Sequence, residues 1–302
     1  MKNILITGGS GLIGTALTKL LLENGYKVAW LSRSKKEIKN VKIFLWDVAN
    51  NVLDDAAIEW ADAIIHLAGE GIADKRWTDK RKKEIMESRT KSTSLLIEKL
   101  KLFPGKVQNI ICASAIGYYG NRKNEILTEN SKPGTGFLSE SVIAWENATS
   151  AFEKLNLQLT RIRIGIVLSE KGGAFKELQK TAVIRILPVM GSGKQIYSWI
   201  HIDDVCGIIL FVLKNNLSGI YNAVAPNPVS QKQLMEKIKS VSGKFYVLVP
   251  VPVFGLEIIL GEMKNMLLIN QQVIGEKIIK AGYKFKFVEV DVAIKGLMDK
   301  SG

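Results

Sequence analysis

Cysteine and histidine are scarce, two of each in 302 residues, and their scarcity removes several chemistries at the outset. Cys112 and Cys206 lie far apart in apolar stretches with no ligand-like spacing to His66 or His201. They read as buried free thiols, with no disulfide framework and no metal site. A cleavable leader is missing as well, since Met1-Lys2-Asn3 runs straight into the first apolar segment, and a cytoplasmic protein is expected. Long apolar runs are absent. The most apolar late stretch, 247–260, is interrupted by Pro250, Pro252 and Glu257, is too short to span a bilayer, and reads as loop and core helix. There is no internal repeat and no low-complexity linker. The net charge is +13, but the excess is spread along the chain: 22 Lys and Arg against 17 Asp and Glu in residues 1–150, and 20 against 12 in 151–302. No aromatic-interleaved basic motif accompanies it, so nucleic acid is not an expected partner. A lysine-rich solvated surface is, with affinity for anionic small molecules as a secondary consequence.

Against these absences stands one strong local signal, residues 4–21, ILITGGSGLIGTALTKLL. An apolar strand turns on Gly8, Gly9, Gly11 and Gly14 into a segment with apolar residues at helical spacing. Glycines let the backbone approach a pyrophosphate, and the helix N-terminus presents unpaired N–H groups to it. Gly8, Gly11, Leu12, Ile13 and Gly14 are therefore candidate cofactor contacts. A second strand over 28–31 arrives where a βαβ unit needs one. After it stand Ser32 and Arg33, with no acid before Glu37. An NAD site places an acid near this point for the ribose 2′-hydroxyl, whereas Arg33 suits a 2′-phosphate.

The alternation continues with strands over 43–46, 63–67, 109–112 and 159–168. Asp47 ends the third and is either an adenine contact or a turn-former. Leu67, Ala68 and Gly69 are small or apolar residues at a strand end and allow close approach of a cofactor. The charge-rich 79–87 stretch continues into a long helical pattern, mostly a solvated face, from which Arg76 and Arg89 stand out. The fifth strand delivers Ser114, then Tyr118 and Tyr119, beyond a carboxyl end, where α/β enzymes place their chemistry. A helix is expected over 141–155. His201 beside Asp203 and Asp204 imitates catalytic machinery, but one of the aspartates capping a helix from Val205 is the preferred reading. Another helix starts at Ser230. These elements predict an α/β, Rossmann-type doubly wound parallel sheet over 1–170, to which later segments return, and a small C-terminal substrate lobe mainly over 171–302.

TGGSGLIG, HLAGE, SRTKST, SAIGYYG, WENA, RIGIVLSEKGGA, GSGKQIYSWIHIDD, YNAVAPNPV and LLINQQV together resemble the epimerase-like atypical branch of the extended short-chain dehydrogenase/reductase superfamily, also labelled nucleotide-sugar epimerase-like or cell-division-inhibitor-like. The resemblance runs nearly end to end. It implies bound NADP and a small-molecule substrate, sugar-like or anionic, with Arg76, Trp77, Gln195 and Trp199 as candidate contacts. The superfamily's Tyr-x-x-x-Lys acid–base pair falls at Leu138 and Val142, which cannot exchange protons. Ser114, Tyr118 and Tyr119 are the remaining catalytic candidates, although both phenols can instead simply pack the loop. Two functions follow: an NADP(H)-dependent oxidoreductase or epimerase-like enzyme, or a non-catalytic NADP(H)-binding sensor.

Overall fold

Strand β1 (Asn3–Thr7) is buried on both faces, as its continuous apolar run requires: Ile4 and Ile6 join one core and Leu5 the other. The computed structural model describes residues 2–35 and 37–299. Helix α1 (Leu12–Glu23) follows the glycine turn, buries Leu17 and Leu21, and ends at Asn24, with Gly25 at φ +79° turning the chain into β2 (Lys27–Ser32). Next come β3 (Val41–Asp47), the short β4 (Val52–Leu53), α2 (Asp55–Trp60), β5 (Ala63–His66), α3 (Asp79–Leu102) and β6 (Asn109–Ala115). After β7 (Ile126–Leu127) come α4 (Phe137–Thr149), a 3-10 turn from Ser150 to Leu155, and β8 (Gln158–Ile164). The helix expected over 141–155 thus begins earlier and tightens in its last turns.

The sixth expected strand, 159–168, is two strands. β8 stays in the main sheet, whereas β9 (Ile166–Leu168) pairs with β12 (Trp199–His201). The break falls at Gly165: its N–H bonds Ala223 O at 3.0 Å, the next N–H bonds Ser198 O at 2.9 Å, and a Cβ at Gly165 would lie 2.4 Å from that Ser198 oxygen. The unbroken apolar run hides the change of partner. Between them lie α5 (Gly173–Val183), β10 (Ile186–Met190) and β11 (Ile196–Tyr197). After β12, α6 (Ile202–Lys214) packs beside α1, and β13 (Gly219–Ala223) closes the main sheet next to β8.

That sheet runs β13-β8-β6-β5-β1-β2-β3-β4, parallel throughout except for the β3/β4 edge. The order reverses between β1 and β5, the position at which open α/β sheets form their ligand crevice. One face is covered by α1 and α6, the other by α2 and α3. The C-terminal part contributes β14 (Val229–Ser230), α7 (Gln231–Ser242) started by a Ser230–Gln233 capping box, β15 (Val247–Val251) paired with β10, and α8 (Val253–Leu260). The expected core helix within 247–260 is only half that: Leu256 is buried, but Phe254, Ile258 and Ile259 are 67–68% exposed. α9 (Lys264–Leu268) and β16 (Gln272–Val273), which pairs with β7, return the chain to the main body.

The α6 start also differs from expectation. The helix begins at Ile202 and its cap is His201, whose Nδ1 accepts from the Asp203 N–H at 3.1 Å. Asp204 lies inside the helix, fully buried, and accepts from the Tyr283 hydroxyl and the N–H groups of Lys286 and Phe287. Both cysteines are buried free thiols, as expected, and burial pushes each up to about 12.

Two arginines inside β8 carry charge into the core. Arg163, 1% exposed, makes a bidentate pair with Glu146 of α4, 2.8 Å through both Nε and Nη2. Removing one partner leaves a buried charge uncompensated, so Arg163→Met is expected to lower the unfolding free energy by about 3–5 kcal/mol in urea titrations, and the double variant with Glu146→Leu should recover much of that. Single-variant losses below about 1 kcal/mol would contradict this account of the pair.

Candidate functional site

The glycine turn needs its glycines. Gly8 sits at φ +70°, and a Cβ there would lie 2.9 Å from the Leu67 carbonyl carbon, so the turn and the loop after β5 touch through backbone. A Cβ at Gly14 would lie 2.3 Å from Gly8 O. The cap of α1 is Gly11, which has no side chain to offer, and no acid occupies the first turn. The N–H groups of Leu12, Ile13 and Gly14 are donors the helix itself cannot satisfy, at the positive end of its dipole. The Leu12 side chain itself packs 3.3 Å from the Cβ position of Gly172, in the loop after β9.

A neutral relay fixes the floor of this half. Thr7 Oγ1 accepts from the N–H groups of Leu67 and Ala68, at 3.1 and 3.0 Å, and donates to His66 Nδ1 at 2.8 Å. The protonated Nε2 then donates to Thr93 Oγ1 at 3.1 Å, which donates to Arg89 O at 2.7 Å. Every donor and acceptor is used, which assigns the tautomer. With no acid beside it, burial pulls His66 down to about 4. Arg89, missing from the cofactor contacts expected above, lies directly over this loop: its Cζ would be 3.1 Å from a Cβ on Gly69 and is 5.0 Å from the Trp145 ring. Burial pulls its guanidinium down to about 10, and among the described residues its one hydrogen bond is to Ile85 O. The buried Trp145 Nε1 has no acceptor among the described residues. Unsatisfied donors beside a glycine-lined loop are what a bound acceptor-rich molecule would complete.

Arg33 is exposed at the end of β2. Asp47 spends both carboxylate oxygens locally, on the N–H groups of Ala49 and Asn50 and on Asn50 Nδ2, and those bonds, chiefly the Asn50 amide, hold its carboxyl below its ordinary range. The turn-forming role is therefore present whatever else the residue does.

At the carboxyl end of β6 the three hydroxyls differ. Ser114 Oγ donates to Glu146 Oε1 at 2.5 Å. Tyr119 is fully buried, donates to Asn222 Oδ1 at 2.7 Å and accepts from Arg163 Nη1 at 3.0 Å. Tyr118 is half-buried with its ring 3.5 Å from the Arg163 guanidinium carbon, and its hydroxyl has no partner among the described residues. Leu138 and Val142 project from α4 against Gly117, 3.8 and 3.5 Å from its Cβ position. Trp77 is buried, donates to Ile72 O at 2.8 Å and meets Phe137 edge-on at 4.9 Å, while Arg76 is exposed against Gly261. Gln195 and Trp199 are not gathered with these. Gln195 Nε2 bonds Met190 O and Leu267 O, and Trp199, fully buried, donates to Asn227 O.

Residues 4–223 match the model of the NAD dependent epimerase/dehydratase family, well over half of the chain. The chain belongs to that family. Within this family member, residues 251–297 also match a domain of unknown function, DUF1731. The chain is 33% identical to epimerase family protein YfhF of Bacillus subtilis, covering 98% of each chain. It is 32% identical to the chloroplastic SDR39U1 homolog of Arabidopsis thaliana, covering 97% of this chain and 86% of that one. The crystal structure of human epimerase family protein SDR39U1, determined with NADPH, superposes with a TM-score of 0.86 at 28% identity over 98% of this chain and 99% of that one. Among the described residues no cluster of side chains could hold a metal, and no helix is long and apolar enough to cross a membrane.

The relay makes a pH prediction. His66 titrates near 6.5 when unfolded and near 4 when folded, so between those values the unfolded chain binds the extra proton and stability falls with falling pH. The loss should reach about 3 kcal/mol by pH 4. Urea unfolding of the parent and of His66→Gln at pH 7 and pH 4 should show a shallower fall in the variant, and equal falls would remove His66 from the account.

Proposed function

We propose that the protein is an NADPH-dependent oxidoreductase that reduces a carbonyl group on a small molecule. The observation that carries the reading is the cradle at the carboxyl ends of β1 and β2, with its side-chain-free backbone, first-turn N–H donors and exposed Arg33 with a serine before it. The NADPH bound by the human relative supports the choice of cofactor. When bound, NADPH supplies a hydride to a carbonyl carbon.

The chain's own residues have distinct parts. The N–H groups of Leu12, Ile13 and Gly14 receive the diphosphate, Gly8 and Gly11 let it approach, and Arg33 pairs with the 2′-phosphate. Leu67, Ala68 and Gly69 border the cofactor through backbone, and Arg89 adds a cation over that loop. On the substrate side Tyr118 is the favoured donor: of the three hydroxyls its own is the one without a partner among the described residues, so it is free to bond a substrate oxygen and pass a proton to it. Ser114 and Tyr119 hold the loop that presents it. Cofactor binding belongs to residues 1–170 with the strands that return to them, and substrate contacts come mainly from the C-terminal part and from Arg76 and Trp77.

Leu138 and Val142 weigh against epimerisation, which must remove and return a hydride with a partner base. The same two residues favour a second reading, an NADPH-binding sensor without turnover. Nicotinamide fluorescence on adding pooled metabolites separates the two, since a reductase consumes bound NADPH and a sensor does not.

NADPH is expected to bind more tightly than NADH by on the order of tenfold or more, the worth of a charge-assisted contact of about 1.5–3 kcal/mol. Arg33→Ala should erase most of the difference, and equal dissociation constants in the parent would end the claim. With any NADPH-consuming carbonyl compound, Tyr118→Phe should lower kcat at unchanged cofactor affinity, and full turnover in that variant would remove Tyr118 from the mechanism.

A further inference from the structure

Apolar side chains cluster beside the loop after β6, and Ser139, the polar residue between Leu138 and Val142 nearest that loop, is spent on Gly117 O at 3.0 Å. Leu138 and Phe137 at the start of α4, Ile72 and Trp77 ahead of α3, Leu260 at the end of α8 and Met263 just after it pack together as one cluster. Ile72, Phe137 and Leu138 are only half-buried, as is Gly117 against which Leu138 leans. The charges at its rim are largely matched inside the chain: Lys82 pairs with Glu262, and Lys264 with Glu257 at 2.8 Å. Arg76, exposed against Gly261, has no acidic partner among the described residues.

We propose that this cleft binds a flat, apolar ring compound bearing carbonyl groups, of which a naphthoquinone is a representative, and not a nucleotide sugar. The inference rests on the reading of the cleft as the substrate site of an oxidoreductase. Three physical reasons carry it. A sugar ring brings several hydroxyls, each of which loses water on entry and must find a partner, and the apolar side chains of this cluster provide none. Indole and phenyl edges together with a methionine sulfur favour contact with a flat polarizable ring. A diphosphate needs cations, and Lys82 and Lys264 beside the cluster are already paired with Glu262 and Glu257. Where the superfamily's acid–base pair would touch a sugar hydroxyl, Leu138 and Val142 present methyl groups.

The test is binding of menadione and of UDP-glucose to the full-length, NADP+-loaded protein, by calorimetry and by intrinsic tryptophan fluorescence. Menadione is expected to bind at least about tenfold more tightly than UDP-glucose, and Leu138→Gln to weaken menadione by about tenfold while Leu138→Met does not. Should Leu138→Gln fail to fold, Met266→Gln on the half-buried side of the same cluster replaces it. UDP-glucose binding as tightly as menadione, or menadione affinity unmoved by the polar variants, overturns the proposal. Menadione bound with these sensitivities but no NADPH consumed supports the ligand class and sinks the oxidoreductase reading. Reduction of a small hydrophilic aldehyde by NADPH, with no menadione binding, does the reverse.

Discussion

The carboxyl ends of three neighbouring parallel strands are held by a single buried ion pair. Glu146 of α4 takes both forks of Arg163 on β8 and also the Ser114 hydroxyl on β6. Arg163 spends its remaining donor on Tyr119 and the Glu129 carbonyl, and Tyr119 passes the connection to Asn222 on β13. Asn222 in turn donates to Ile274 O, just past β16. Desolvating two charges costs about as much as their attraction returns, so such a pair contributes little net stability; its effect is to allow one arrangement of the groups around it. The guanidinium, engaged through all three of its nitrogens, fixes where residues 116–119 leave the sheet, and so which hydroxyl is left over.

The floor of the other half of the cleft is a neutral relay. The Thr7, His66 and Thr93 relay joins the ends of β1 and β5 to α3 with each hydrogen bond satisfied, and the imidazole stays neutral because burial penalises its charged form. A neutral floor suits the place where the proposed cofactor's diphosphate would approach, since the donors offered by the backbone N–H groups do not change with pH. Arg89 hangs over the same loop from α3, so one helix carries both the end of the relay and a cation.

How much of this could be read beforehand depends on how local each signal is. The glycine turn is a property of a few consecutive residues and was legible at once, as were the alternation of parallel strands with helices and the helix that starts at Ser230. The break at Gly165 was not, because only the approach of Ser198, from 33 residues further on, forbids a side chain there. Arg163 carried a signal that went unused: a charged residue alternating within an apolar strand must find a buried partner, and the acid of the WENA motif supplies it. The cap of α6 is His201 in place of the expected aspartate, because an imidazole nitrogen can accept from a helix N–H as a carboxylate does, and Asp204 faces inward and ties down 283–287. Gln195 and Trp199, expected as substrate contacts, donate to carbonyls within the C-terminal part, and the bonds to Leu267 and Asn227 join segments far apart in sequence and so leave no local signal.

The two halves therefore differ in what they leave unfinished. On the cofactor side the unfinished groups are donors: first-turn N–H groups, Arg33, Arg89 and the Trp145 indole nitrogen. Around β6 the polar groups have mostly been absorbed, with Ser114 and Tyr119 bonded into the ion-pair network and apolar Leu138 and Val142 leaning on Gly117 from α4. Satisfying a hydroxyl with a buried carboxylate makes the scaffold rigid but withdraws that hydroxyl from chemistry, because breaking the bond to serve a substrate would leave the carboxylate undersatisfied. A site so arranged can hold a dinucleotide firmly while offering its partner molecule one phenol and an apolar wall, and the demands it places on that partner are correspondingly those of shape and apolar surface.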